Sequence, residues 1–199
     1  SQLEQTISGL VGHWSMDSKD HYGATIHDRS GKGNNGTLSG GVTPSSGTLG
    51  QALRFDGVSG SEIRTGNSST LVSSSITVSA WMQNEPGVTN HPLVSKTHTN
   101  NVNQVQYGFG YYSDKLYLYY HDASIVYHEW ASTNTFTDTG WHHVAVSYTF
   151  GTAGSIKVYR EGVEVAGSWV TGTGNGAGTT GSTPFSIGRN IPSGGGSTM

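Results

Sequence analysis

The chain reads Gly-Leu-Val-Gly-His-Trp-Ser-Met-Asp over residues 9–17 and Asp-Arg-Ser-Gly-Lys-Gly-Asn-Asn-Gly-Thr-Leu over residues 28–38. The first segment is short and apolar with an aromatic residue at its centre, and it predicts a strand over Leu10–Met16. The second segment concentrates Asp, Ser, Gly and Asn, which favour tight turns, before strand residues return at Thr37 and Leu38. A strand, a tight turn and a returning strand indicate a β-rich domain.

Further along the chain, short runs of apolar, β-branched and aromatic residues are separated by turn residues. They predict strands at Gln51–Asp56, Glu62–Thr65, Ile76–Gln83, Pro92–Thr97, Gln104–Tyr111, Lys115–His121, Ser124–Trp130, His142–Tyr148, Ser155–Arg160, Glu164–Trp169 and Phe185–Gly188. The glycine-rich stretch 167–181 predicts a loop. Alternation with a period of two is clear in residues 76–82, where one face carries Ile76, Val78, Ala80 and Met82 and the other carries Thr77, Ser79 and Trp81. Since no window shows a helical period, the fold class predicted is all-β, an antiparallel two-sheet β-sandwich.

Composition excludes several classes of function. The 199 residues include 30 glycines without a collagen period, and the net charge of −3 comes with no basic patch, which argues against a nucleic-acid partner. The chain has no cysteine, so disulfides and zinc–thiolate sites are excluded. No apolar run approaches the roughly 18 residues of a membrane-spanning helix, so membrane insertion is not expected.

Five further segments carry a family resemblance. They are Gly-Gln-Ala-Leu-Arg-Phe-Asp-Gly at 50–57, Ser-Ile-Thr-Val-Ser-Ala-Trp-Met at 75–82, Trp-His-His-Val-Ala-Val at 141–146, Val-Tyr-Arg-Glu-Gly-Val-Glu-Val at 158–165 and Phe-Ser-Ile-Gly-Arg at 185–189. In this order and spacing they resemble the laminin-G-like jelly-roll domains of the concanavalin A-like lectin/glucanase superfamily. The resemblance implies a jelly-roll fold, an extracellular setting and a function in binding surfaces or glycans. It also implies that Trp14, Trp81 and Trp141 are framework residues of the core.

The resemblance gives a domain organisation with one departure. Residues 1–8 are expected to form an N-terminal arm, residues 9–191 the sandwich, and residues 192–199 a flexible tail. Domains of this kind usually end with a further strand of the type G-x-I-D-E-V-R-I, and the sequence stops where that strand would begin. Truncation of a longer chain is the first interpretation. The alternative is an open sheet edge after Asn190 that accepts a protein partner or a second copy.

The sequence offers little for catalysis. A retaining glycosidase needs two carboxylates about 5 Å apart, and the E-x-D-x-x-E pattern of the glucanase relatives is absent. Glu161 and Glu164 flank a predicted hairpin turn and are expected in solvent. No Ser-His-Asp arrangement has a supporting G-x-S-x-G motif. His142 and His143 are adjacent on a predicted strand, so they point to opposite faces and cannot share a metal ion.

A calcium ion is the candidate cofactor, in a structural role. Calcium takes oxygen ligands, and the candidate metal ligands are Asp17, Asp28, Asn34 and Asn35. The alternative interpretation is that Asp28 and Asn34 form Asx turns by bonding their own backbone. Both interpretations are open at this point.

The candidate ligand-binding site is an aromatic cluster, with six residues assigned to it: Tyr111, Asp114, Tyr117, Tyr119, His121 and Trp130. On the strand 115–121, Leu116, Leu118 and Tyr120 share the face assigned to the core. Tyr117, Tyr119 and His121 then face outward, where exposed tyrosines suit stacking against a sugar ring. The alternative is that both faces are buried, the second by a loop or a partner.

The sequence therefore predicts a non-catalytic module that binds carbohydrate or a surface in adhesion. Its partner would be a glycan or cell-surface polysaccharide, and its location extracellular, at a cell surface or on a virion. The main alternative is a structural subunit of a virion, fibre or filament. A glycoside hydrolase is the second alternative, which the missing carboxylate pair disfavours.

Overall fold

A computed structural model describes residues 9–58, 60–66, 71, 74–84, 90–98, 101–179 and 183–188. The expected arm 1–8, the tail 192–199 and the edge after Asn190 lie outside these residues. The fold is all-β, as predicted, and its helical content includes short 3₁₀ turns at Ser18–Asp20 and Ala153–Ser155. Within the described ranges, no helix has the length and apolar character needed to cross a membrane.

Sixteen strands form in the described part of the chain. They are β1 (His21–Tyr22), β2 (Thr25–Ile26), β3 (Gly36–Ser39), β4 (Val42–Ser46), β5 (Gln51–Phe55), β6 (Glu62–Thr65), β7 (Ser75–Gln83), β8 (Asn90–His98), β9 (Asn101–Tyr112), β10 (Lys115–His121), β11 (Tyr127–Ser132), β12 (Trp141–Thr149), β13 (Lys157–Arg160), β14 (Val163–Glu164), β15 (Gly167–Thr171) and β16 (Phe185–Ile187).

The strands pair antiparallel in three sheets. A ten-stranded sheet has the order β1-β2-β3-β6-β16-β8-β9-β10-β11-β15, and a four-stranded sheet has the order β14-β13-β12-β7. Strands β4 and β5 form a separate hairpin. The two larger sheets pack face to face, which confirms the predicted β-sandwich.

The three-residue strand β16 joins two halves of the large sheet. It pairs with β6 on one side and with β8 on the other. The hydroxyl of Thr65 also donates to the carbonyl oxygen of Phe185 at 3.2 Å, across 120 positions of sequence. Although it is short, β16 therefore lies near the middle of the ten-stranded sheet.

The core lies between the two larger sheets, where alternate residues meet. The four-stranded sheet contributes Val144, Val146, Tyr148 and Val158, and the ten-stranded sheet contributes Phe109, Tyr111, Leu116, Leu118 and Tyr120 among others. The apolar face that the alternation predicts for β7 also packs against this cluster, through Ile76, Val78 and Met82. The period-two alternation in the sequence was therefore a correct guide to the core.

Two predicted elements are wrong. Residues 10–16 form no regular strand; instead the Trp14 ring stacks on Phe185 at 5.4 Å and its indole N–H donates to the Asn34 carbonyl. The predicted loop 167–181 begins as strand β15, paired with β11. The glycine-rich residues after β15 contact the core, since the hydroxyl group of buried Tyr148 donates a hydrogen bond to the Gly174 carbonyl.

Candidate functional site

The predicted tyrosine platform is not an exposed surface. Tyr117 and Tyr119 do lie on the outward face of β10, but only 7% and 6% of their surfaces are accessible. Their rings stack at 5.3 Å, and the Tyr119 ring lies so close to Gly108 that a Cβ there would be 2.2 Å from its Cζ. The Tyr117 hydroxyl donates to Asn90 Oδ1 at 3.0 Å, and burial holds the Tyr117 pKa well above its usual value. The prediction that these two rings are accessible is therefore wrong.

The other predicted site residues are spread over different environments. Tyr111 and Trp130 point into the core, and His121 is buried. Asp114 is exposed, but it forms the β9–β10 turn with a φ of 62°. The structure therefore does not gather the six residues on one accessible surface, and their role in binding stays a prediction.

Asp28 organises the loop proposed for calcium. Its Oδ1 accepts the N–H groups of His13 and Ser30, and its Oδ2 accepts the Asn34 N–H and the Ser30 hydroxyl. Asn35 Oδ1 in turn accepts the Asp28 N–H at 2.9 Å. Burial acts to raise the pKa of Asp28, but the hydrogen bonds from Ser30, His13 and Asn34 outweigh it and hold the pKa below its ordinary value.

These contacts favour the turn-forming interpretation of the loop. Both carboxylate oxygens of Asp28 already accept two donors each, and the side-chain amide of Asn34 donates to the Val11 carbonyl. Asp17 makes its own contacts elsewhere, with the Gln51 N–H and with Lys19. Among the described residues, no group of three or more His, Asp or Glu side chains is arranged to hold a metal ion. Structural calcium stays a prediction.

One accessible surface with aromatic residues is the outward face of the four-stranded sheet, here called the Trp81 face. Strand pairing places eight outward residues side by side in three rows: Trp81 beside His143, Ser79 beside Ala145 and Tyr159, and Thr77 beside Ser147 and Lys157. Their inward neighbours on β12 and β13 are the buried core valines. The rows follow from the unbroken register of β7 with β12.

Trp81 is fixed in place although it is exposed. Its surface is 41% accessible, and the His143 ring meets it edge-on with centroids 5.6 Å apart. His143 Nε2 lies 2.8 Å from the Ser79 hydroxyl, so the imidazole is itself oriented. The prediction of Trp81 as core is wrong, while the alternation that grouped it with Thr77 and Ser79 was correct. That alternation was the signal that could have found this face.

The charged groups that border the Trp81 face are paired. Lys157 Nζ donates to Glu164 Oε1 at 2.7 Å, and this hydrogen bond raises the pKa of Lys157. Glu161 Oε1 accepts the His143 N–H at 2.8 Å and lies 3.1 Å from His142 Nδ1. Glu161 and Glu164 are exposed, as predicted. The face is therefore close to neutral and rich in hydroxyl groups.

The two adjacent histidines point in opposite directions, as predicted. His143 faces outward beside Trp81, whereas His142 lies at the end of the sandwich between the carboxylates of Asp138 and Glu161. Asp138 also accepts a hydrogen bond from Arg160. Only His143 of the two can contact a ligand on the Trp81 face.

Comparison with known proteins agrees with this architecture. A laminin G-like family model, described as the concanavalin A-like lectin/glucanases superfamily, matches residues 55–199, which confirms the predicted resemblance. The receptor binding domain of botulinum neurotoxin C/D mosaic serotype is 16% identical with a TM-score of 0.62, covering 91% of this chain and 44% of that one. The binding domain of Paraclostridial Mosquitocidal Protein 1 is 15% identical with a TM-score of 0.61, covering 84% and 42%.

The chain thus spans less than half the length of these binding domains. At this level of identity the likeness shows the fold. A search of curated proteins finds no match.

Proposed function

Because the chain belongs to the concanavalin A-like lectin/glucanase superfamily, we propose that it is a non-catalytic module that binds carbohydrate through the Trp81 face. The observation that carries the proposal is the exposed, fixed indole of Trp81, on the same face of β7 as the hydroxyls of Ser79 and Thr77. An indole gives flat apolar area for the C–H face of a sugar ring. The hydroxyls and the His143 imidazole supply hydrogen-bond partners for sugar hydroxyls.

The geometry favours weak binding at each site. The face is a flat sheet rather than a deep pocket, and a single aromatic stacking contact contributes about 0.5–1.5 kcal/mol beyond burial of area. Such a module gains strength when several copies engage one polysaccharide. We propose accordingly that the module works outside the cell or at a cell or virion surface, on a multivalent glycan. The toxin domains of the same fold, which are described as binding domains, support a binding role.

A glycan array followed by calorimetry tests the proposal. We expect Trp81→Ala to weaken binding of the best array ligand at least tenfold while the thermal midpoint changes little, since the indole is on the outside of the sheet. Tyr22→Ala is the matched control, because Tyr22 is an aromatic residue with 69% of its surface accessible on the other sheet. Unchanged affinity in Trp81→Ala would contradict the proposal.

One observation favours the second candidate, a subunit of an assembly. Strand β7 is an edge of the four-stranded sheet among the described residues, and its nine residues include no charge and no proline. Such edges accept further strands unless they are protected. The mass of the native protein by light scattering tests this candidate: a stable oligomer supports it, and a monomer at high concentration counts against it.

A further inference from the structure

We infer that the ligand of the Trp81 face is a linear, uncharged oligosaccharide that crosses β7, β12 and β13 and contacts both Trp81 and Tyr159. The inference rests on the proposed function and deepens it. Tyr159 lies on β13 directly beside Ala145, and its sequence neighbour Val158 is fully in the core, so the Tyr159 ring is on the outward face. The face therefore has Trp81 in its first row on β7 and Tyr159 at the end of its second row on β13.

The His143 ring and small side chains lie between the two aromatic residues. The line from Trp81 to Tyr159 crosses β12 between His143 and Ala145, and Ala145 pairs directly with Ser79 on β7. The next row holds Thr77 beside Ser147, whose hydroxyl oxygens are 3.4 Å apart. These residues form a low floor bounded by larger rings. An extended chain can lie along this floor, whereas a branched ligand would meet the raised rings.

The spacing sets the minimum length of the ligand. Tyr159 is two strands and two residues away from Trp81 in the register of the sheet. With strands about 4.8 Å apart and a rise of about 3.4 Å per residue, their Cα atoms are about 12 Å apart. Since apolar contact requires approach to within about 4.5 Å, a single sugar ring stacked on Trp81 does not also contact Tyr159. Simultaneous contact therefore needs more than one sugar unit.

The charges select an uncharged ligand. Lys157, the cation of the face, is paired with Glu164, and Glu161 is engaged by the His143 N–H and the His142 ring. Because Glu164 already neutralises Lys157, a carboxylated or sulfated sugar gains little electrostatic attraction from this lysine. The floor itself offers hydroxyl and methyl groups, which match neutral sugar hydroxyls and ring C–H groups.

The experiment is a length series measured by calorimetry. The probes are the β-1,4-glucose, α-1,4-glucose and β-1,4-N-acetylglucosamine oligosaccharides from two to six units, with heparin fragments as charged comparisons. In the series that binds, we expect affinity to rise with length until both rings are covered. Tyr159→Ala should weaken the longest member at least fivefold and the disaccharide less than twofold, while Trp81→Ala weakens every length.

A second variant tests the floor without removing a ring. Ala145→Leu places bulk between the two aromatic residues and should also weaken long oligosaccharides selectively. Tyr22→Ala should change nothing at any length. If Trp81→Ala weakens binding but Tyr159→Ala and Ala145→Leu act equally on all lengths or not at all, the two-ring inference is overturned and the proposed function stands. If Trp81→Ala has no effect, or if neither the neutral oligosaccharides nor the heparin fragments bind, both are overturned. If only the heparin fragments bind and Trp81→Ala weakens that binding, the inference is overturned and the proposed function stands.

Discussion

Lys96 offers the sharpest test of the core. It lies on β8 between Tyr107 and Phe185 in the sheet register, on the side that faces the core, and its side chain is fully buried at 0% accessibility. Its ammonium group donates to the Thr183 carbonyl, and no carboxylate among the described residues pairs with it. A buried cation with one neutral acceptor destabilises the folded state. Replacing it with methionine, which has a similar length, should therefore stabilise the protein.

The free-energy cost of burying the Lys96 charge follows from the pKa of this lysine. Burial lowers the pKa of Lys96 from 10.5 to about 8, which corresponds to a cost of about 3 kcal/mol when the lysine is charged in both states. As pH rises from 8 to 10.5 the folded protein loses this proton before the unfolded chain does. The unfolded state then binds more protons, so the free energy of unfolding rises with pH in this window.

We expect Lys96→Met to be more stable than wild type by about 1–3 kcal/mol at pH 7, since the unpaired Thr183 carbonyl takes back part of the gain. The difference in the free energy of unfolding between the variant and wild type should narrow by about 2 kcal/mol between pH 7 and pH 9.5. Urea unfolding of both proteins at both pH values, followed by tryptophan fluorescence, measures this difference. Comparing the two proteins cancels the tyrosines, which titrate in both. A variant that is less stable than wild type, with a difference independent of pH, would refute the reasoning.

Two further predictions concern the contact of Tyr119 with Gly108 and the loop that Asp28 organises. Gly108→Ala should lower stability by about 1–3 kcal/mol because the new Cβ meets the Tyr119 ring, while Gly154→Ala, where a Cβ meets open space, should leave the thermal midpoint unchanged. Asp28→Ala should lower the free energy of unfolding by about 2 kcal/mol or more, because the hydrogen bonds to its carboxylate are lost. A chelator should not shift the thermal midpoint of the wild-type protein. If a chelator lowers that midpoint in the wild type but not in Asp28→Ala, the loop binds calcium.

The sequence was a good guide wherever one side of a strand is clearly apolar. The alternation in β7 was predicted correctly, because core burial imposes a period of two on the strand. The short strands β1 and β2 were missed, since two residues are too few to show any period.

The candidate site was harder to predict, because exposure depends on what lies opposite. Nothing in strand 115–121 shows that Tyr119 packs over Gly108, a neighbour that only the sheet register brings close. For Trp81 the family resemblance implied a framework role in the core, whereas the local alternation grouped it with the polar residues Thr77 and Ser79. Where the two disagreed, the physical periodicity of this chain was correct.

Strand β16 has a consequence for how the protein is made. Its residues 185–187 come last among the described strands, yet they separate β6 from β8 in the finished sheet. During synthesis the ribosome releases β1–β3 and β6, and then β8–β11, long before the strand that links them. Until residue 187 has emerged, the two halves each present an unpaired edge where β16 will insert. Completion of the sheet is therefore a late event, and until then both unpaired edges are exposed to mispairing between nascent chains.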